Sequence, residues 1–214
     1  MSAPISTAAL ILAAGSSSRM EAGRHKLLLP LGDRPVLAHV LTAVLASQAR
    51  PIVVVLGHHA NQVRAAIASY TNRQALVIIE NPAYQQGMSS SLRAGLQALL
   101  QQHEKLDSAI ILLGDQPLVT PSVINGLIGR RQESQKRIVA PLYNGKRGNP
   151  ILFEASLFPE LMEVRGDEGG RSVIARHRDE IASLKLEDTL ADYDVDTWEA
   201  YQNVVAAWQG QHDS

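Results

Sequence analysis

Short, uninterrupted apolar runs recur along the chain, separated by longer stretches in which apolar residues return every three or four positions. The runs at 9–13, 52–56, 76–79 and 109–113 hold almost no polar residue. A strand buried on both faces reads this way, whereas a strand covered on one face alternates. The stretches between them, 35–47, 60–69 and 89–102, have helical spacing. Pro35 suits a first helical turn, where its missing N–H leaves no bond unmade. The recurring strand–helix order predicts an α/β fold with a three-layer, doubly wound, mostly parallel sheet.

The second half is less regular. Helices are expected at 121–131, 169–178 and 197–208, and strands at 138–142, 150–153 and 181–186. The first two of those strands flank a turn at Asn144-Gly145. No repeat, low-complexity run or long linker interrupts the pattern. Residues 1–210 therefore read as one domain, with 211–214 a frayed tail.

Ligands on doubly wound sheets bind beyond the carboxyl ends of the strands. The loops after Ala13, Ile79 and Leu113 should converge there. In the first, Leu12, Ala13 and Ala14 run into Gly15, Ser16, Ser17 and Ser18, followed by Arg19 and Lys26. A strand that stops in a small-residue turn leaves backbone N–H groups pointing outward, a concave set that binds phosphate. Arg19 and Lys26 add positive charge, and the simplest ligand is a nucleoside triphosphate. The spacing is neither a Walker A loop nor a GxGxxG turn, and many such turns bind nothing.

The second loop is Gly114-Asp115-Gln116-Pro117. Asp115 either offers hard oxygen to Mg²⁺ (or Mn²⁺) or caps the following turn. Near the C-terminus, Asp196 is either the N-cap of the last helix, with Glu199 completing a capping-box-like pair, or a second metal ligand. Asp194 and Asp196 fall on the same side of an extended segment, so either suits a metal. In the third loop Gly87 precedes Ser89, Ser90 and Ser91, which open a helix. Free amides and hydroxyls there make an anion or nucleobase site, or an ordinary N-cap. Gly148, Asn149 and Pro150 form a turn that presents an amide side chain. Asp167, Gly169 and Arg171 belong to a glycine-rich loop entering a helix, where Arg171 can meet an anion bidentately. Taken singly, the last two read as plain turns. Of the seven histidines, His25 is placed to touch phosphate beside Lys26, while His58 and His59 read as surface or turn residues.

A net charge of −1 argues against nucleic acid as a partner. The absence of cysteine excludes disulfides and thiolate-held metals. No apolar run reaches the ~18 residues of a membrane span, and the N-terminus lacks a signal peptide's basic and apolar regions. A cytoplasmic location is expected.

LAAGSSSRM with Lys26, GDQP, and DVDT near the C-terminus resemble the NTP-transferase superfamily, nucleotidyltransferases with a Rossmann-like fold. NPAYQQGMSSSLRAGL, RGNPILF and GDEGGR within the same chain resemble the molybdenum cofactor cytidylyltransferase family. The resemblance runs from Leu10 to about Tyr201. Two positions depart from its pattern: Glu21 stands where Gly usually follows Arg-Met, and Asn149 stands where histidine is frequent. The related guanylyltransferases have Ala-Gly-Gly at Ala13-Ala14-Gly15. The methyl of Ala14 narrows that space, which favours CTP over GTP.

The resemblance implies transfer of CMP from CTP to molybdopterin or the molybdenum cofactor, with release of pyrophosphate. The N-terminal half would bind nucleotide and the C-terminal half the acceptor. Arg19, Lys26 and Asp115 would be catalytic. Leu12 to Arg19, Lys26, Gly87, Ser89 and Gly114 would bind nucleotide. Ser90, Ser91, Gln116, Pro117, Gly148, Asn149, Pro150, Asp167, Gly169 and Arg171 would bind the acceptor. Asp115 and Asp196 would hold the metal. A molybdenum hydroxylase or its accessory protein would be the recipient. Two other readings stay open: a nucleotidyltransferase acting on GTP or on a sugar or polyol phosphate, and a non-catalytic carrier of the molybdenum cofactor.

Overall fold

The computed structural model describes residues 6–20, 24–70, 76–102, 105–187 and 190–212; Glu21, the departure noted above, lies outside them. The chain opens with β1 (Thr7–Ala13), a short hairpin of β2 (Pro30–Leu31) and β3 (Arg34–Pro35), and α1 (Val36–Ala46). There follow β4 (Ile52–Leu56), α2 (Ala60–Ala66), β5 (Leu76–Glu80), α3 (Met88–Gln102) and β6 (Ser108–Leu113). The second half holds α4 (Pro121–Ser134), β7 (Ile138–Tyr143), β8 (Lys146–Arg147), β9 (Ile151–Glu154) and α5 (Phe158–Glu163). It ends with α6 (Arg171–Arg176), β10 (Ile181–Leu186) and α7 (Trp198–His212).

The main sheet has the order β10-β7-β9-β6-β1-β4-β5. Strand β1 is central, parallel to β4 on one side and β6 on the other. Its side chains alternate between two cores. Ala9, Ile11 and Ala13 face α1, α2 and α4, while Ala8, Leu10 and Leu12 face α3 and α5. All seven of its residues are buried, which is why the sequence shows an unbroken apolar run. The expected three-layer, mostly parallel architecture is what forms.

Strand β9 runs antiparallel to both β6 and β7. Its first residues therefore lie at the edge where the parallel strands end. That reversal brings Asn149, just ahead of β9, to the ligand edge of the sheet. At Asn144-Gly145 both residues have positive φ (47° and 85°), the two-residue hairpin geometry that Asn-Gly favours, and β8 folds back on β7 there.

Several element ends differ from expectation. Pro35 pairs in β3 and precedes α1, which starts at Val36. Residues 169–170 lie ahead of α6, since Gly169 has φ +55° and Gly170 is its N-cap. The last helix continues through His212, two residues into the stretch expected as a tail. Among the described residues no helix is long and apolar enough to cross a membrane.

Candidate active site

A cleft of about 760 Å³ opens at the carboxyl ends of the parallel strands. Its floor is the loop after β1. Gly15, Ser16 and Ser18 are exposed, and no described residue accepts a hydrogen bond from the backbone N–H of Gly15, Ser16, Ser17 or Ser18. The loop is held by other atoms. Met20 N–H donates to Ser17 O at 2.9 Å, and Lys26 N–H donates to the Ser17 hydroxyl at 3.1 Å. Ser17 takes the left-handed conformation (φ 54°), which turns the chain sharply after Ser16. The result is a row of unused amides with Lys26 rooted beside it, suited to an anion.

Facing this loop are the acidic residues. Asp115 follows β6. The segment ahead of α7 alternates, with Val195 buried and Asp194 and Asp196 turned into the cleft. Val195 N–H donates to Asp115 O at 3.0 Å, which fixes the two acidic segments against each other. The Lys26 ammonium donates to the Asp115 carboxylate and to Asp196 Oδ1, the latter at 2.6 Å. Arg19 reaches Asp196 Oδ2 at 3.1 Å from a far more exposed position. Burial pulls Lys26 downward, but the two carboxylates outweigh it and hold the ammonium above its ordinary value. Burial pushes Asp196 up, and Lys26 and Arg19 overcome this to hold it low. Asp194 is raised, by burial first and then by the neighbouring charges of Asp196 and Asp115.

Of the two readings of Asp196, helix cap or metal ligand, the cap is not the one that forms. The Thr197 hydroxyl accepts from Ala200 N–H at 3.1 Å, so Thr197 is the cap and Asp196 stays free for the cleft. The donor chemistry fits a divalent cation. Two cationic side chains, Arg19 and Lys26, face three carboxylates, Asp115, Asp194 and Asp196. A triphosphate carrying about four negative charges would meet a net negative wall without a further positive ion. Asp115 and Asp196, with Asp194 beside them, are the residues that would hold one. Three-residue His/Asp/Glu groupings of metal-binding geometry are absent among the described residues, so substrate oxygens would have to complete the ligand set.

The opposite wall comes from the loops after β5 and before α6. Gly87 (φ +95°) sits so close to the Gly166 carbonyl that an added Cβ would lie 2.5 Å from it. This contact brings the glycine-rich loop onto the start of α3. Met88 N–H donates to Asp167 Oδ1 at 3.0 Å and Ser89 N–H to Gly166 O at 2.9 Å. The free amides expected at this helix start are therefore already used. Ser89 is wholly buried. The Ser90 hydroxyl accepts from Asn81 and has the carbonyls of Gly87 (2.8 Å) and Ala83 (3.0 Å) within reach of its single proton, so it braces the loop from within. Only Ser91 of the three lines the cleft.

Leu12, Ala13, Ala14, the Gly15 to Arg19 loop, Lys26, Gly87, Ser91, Asp115, Asn149, Asp167, Arg171 and Asp196 all line the cleft. The structure brings these sequence candidates together. It does not bring Gly114, Gln116 and Pro117, which are buried behind Asp115. Nor does it bring Gly148, which packs on the Tyr143 ring, or Pro150 and Gly169, which are buried at the starts of β9 and α6. The sequence reading missed Leu27, Tyr84, Gln85, Met88 and Leu113 as lining residues, and took His58 for a surface residue. His58 follows β4, a position that the strand-end rule already marks. His25 is not a phosphate contact. It is buried, stacks on His58 at 5.7 Å and 11°, and donates from Nε2 to His58 O at 3.2 Å.

A family model described as MobA-like NTP transferase domain matches residues 9–181. Among solved structures, Rv0371c from Mycobacterium tuberculosis H37Rv is similar with TM-score 0.80 and 27% identity, covering 96% of this chain and all of that one. The manganese complex of Rv0371c is similar with TM-score 0.77 and 27% identity over 94% of this chain and 99% of that one. Among curated proteins, the bifunctional protein GlmU of Bordetella petrii is 34% identical over 79% of this chain and 34% of its own length. The chain spans about a quarter to a third of the length of the first curated relatives it matches.

Proposed function

The chain belongs to the MobA-like NTP transferase domain family, and within that family we propose that it transfers CMP from CTP to molybdopterin or the molybdenum cofactor. One observation carries the reading. The segments that resemble the cytidylyltransferase branch contribute Gly87, Ser91, Asn149, Asp167 and Arg171 to the same cleft as the triphosphate loop and the Asp115–Asp196 pair. In this reading the N-terminal half mainly binds the nucleotide and the C-terminal half mainly binds the acceptor, with Ser91 reaching the acceptor from the first half and Asp196 the metal from the second.

A terminal phosphate monoester of the acceptor attacks the α-phosphorus of CTP. The new P–O bond forms as the bond to the β-phosphate breaks, and pyrophosphate leaves. The attacking oxygen is already ionised near neutral pH, so the chain needs no general base and no nucleophilic side chain. Its work is alignment and charge neutralisation. The amides of residues 15–18 bind the triphosphate. Lys26, kept charged by its two carboxylates, and the exposed Arg19 stabilise the charge that builds on the leaving pyrophosphate. A divalent cation held by Asp115 and Asp196, Mg²⁺ or Mn²⁺, would supply Lewis-acid stabilisation of the phosphate oxygens. Arg171 and Asn149 meet the acceptor. Its product would pass to a molybdenum hydroxylase or to that enzyme's accessory protein.

Base choice rests on Ala14. The methyl of Ala14 fills the space beside Gly57, where an added Cβ would lie 2.7 Å from it and from Tyr84 Cβ. That packing sets the wall beneath Tyr84 and leaves less room for a purine. Pyrophosphate release, measured with CTP or GTP in the presence of Mg²⁺ and molybdenum-loaded molybdopterin, tests the reading. Release with CTP alone is expected. Release only with GTP would overturn the base assignment, and tight acceptor binding without release from either would favour a carrier.

A further inference from the structure

Asp115 and Asp196 come from distant parts of the chain and meet on one side chain. The Lys26 ammonium donates to both, and the three groups form a compact cluster in which the Lys26 and Asp115 side chains are only 14% and 13% exposed and Asp196 is 36% exposed. The same pair of carboxylates is the one read above as holding a divalent ion. A small dication on these oxygens would need the volume that the ammonium fills, and two positive centres in direct contact repel each other by several kcal/mol even at an effective dielectric of ~20. The ammonium and the ion therefore exclude each other.

We propose that Lys26 is a resident counter-cation that keeps the Asp115–Asp196 pair closed to divalent ions until a triphosphate draws its ammonium away, so that the metal enters with the nucleotide and not before it. The backbone supports this exchange. Lys26 N–H is tied to the Ser17 hydroxyl in the same loop whose amides stand unused, so the stem of the lysine is anchored beside the phosphate position. An arriving triphosphate gives the ammonium a new anionic partner without moving the main chain. Arg19, 74% exposed, also touches Asp196 but leaves Asp115 untouched, and an exposed pair of that kind holds only weakly. Among the described residues Lys26 is the one that bridges the two carboxylates. The idea rests on the reading of Asp115 and Asp196 as metal-holding, and is indifferent to which base or acceptor the protein uses.

The experiment is a Mn²⁺ titration of the nucleotide-free protein, followed by the electron paramagnetic resonance signal of free Mn²⁺. The wild-type protein should bind Mn²⁺ weakly. Lys26→Met should bind it at least about tenfold more tightly, Lys26→Arg should behave like wild type, and Lys26→Met combined with Asp115→Asn should lose the gain. Equal affinity in Lys26→Met and wild type would overturn the proposal. So would tight binding by the wild-type protein without nucleotide, a result that depends on no variant's folding. Asp115→Asn in the wild-type background separates the two levels. If it leaves Mn²⁺ binding in the presence of CTP unchanged, the metal assignment falls and the proposal with it. If it abolishes that binding while Lys26→Met shows no gain, the metal assignment stands and only the counter-cation role is refuted.

Discussion

Lys26 contacts three parts of the chain at once: Ser17 through its backbone, and Asp115 and Asp196 through its ammonium. Among the described residues it is the buried cation at the junction of the loop after β1 and the Asp115–Asp196 pair. Replacing it by alanine should lower turnover by about 10²–10³-fold, the usual loss when one preorganised charge-stabilising group is removed. Steady-state pyrophosphate release checks this, and turnover within a few-fold of wild type would contradict the role. His25 gives a second test, in stability. Burial, foremost, with the nearby His58, His59 and Lys26, lowers its pKa from 6.5 to about 4. Nδ1 is buried with no partner among the described residues while Nε2–H is committed to His58 O, so none of the described residues accepts a second ring proton. Protonation thus favours the unfolded chain. The contribution of neutral His25 is complete above pH 6.5 and is lost as pH falls toward 4. Urea midpoints measured at pH 7.5 and pH 5 should drop in the wild-type protein, and drop less in His25→Gln.

At the scale of elements, the central parallel strands β1, β4 and β6 were readable because burial on both faces leaves almost no polar residue in them. Strand β4 falls at 52–56 and β10 at 181–186, as their apolar patterns indicate. The hairpin β2–β3, strand β8 and helix α5 were not readable. The two hairpin strands and β8 have two residues each, too few to show a period, and α5 has six. The antiparallel direction of β9 was equally hidden, since an apolar run does not state its direction, and that direction is what places Asn149. The start of α7 was misread by one residue, which had left Asp196 open between a helix cap and a metal ligand; Thr197 takes the cap. Thr197→Ala should therefore destabilise the protein by about 1 kcal/mol in chemical denaturation. Because Asp196 precedes that cap, the variant should also weaken Mn²⁺–nucleotide binding, a loss that a cap remote from the cleft, Thr120→Ala on α4, should not produce. Gly87→Ala tests the joint between α3 and the glycine-rich loop. Its Cβ would collide with the Gly166 backbone at a position with φ +95°, so binding of nucleotide, read by equilibrium titration, should fall more steeply than thermal stability.

At the scale of the whole molecule, loops from both halves of the chain meet in one cleft. Strand β1 at the centre of the sheet delivers the loop of residues 15–18, β6 delivers Asp115, and the segment before α7 closes the site with Asp194 and Asp196. Much of this constellation was legible in the order of LAAGSSSRM, GDQP and DVDT. Which residues of each motif face the ligand was not, because burial decides it: Asp115 turns outward and Gln116 inward from adjacent positions. Ala14 is the same kind of residue: it lines the cleft, yet it is buried. Ala14→Gly should reduce the preference for CTP over GTP by about 10–200-fold, the range one methyl can command in a pocket. The most direct test of the account follows the α-phosphate itself. CTP labelled at the α-phosphorus is incubated with the protein, Mg²⁺ and molybdenum-loaded molybdopterin, and the products are separated and weighed by mass spectrometry. The account predicts that the label moves to the acceptor, which gains the mass of CMP through a pyrophosphate linkage, with one pyrophosphate released per transfer. Label remaining in CTP, or appearing on a sugar phosphate offered in competition and not on molybdopterin, would contradict it.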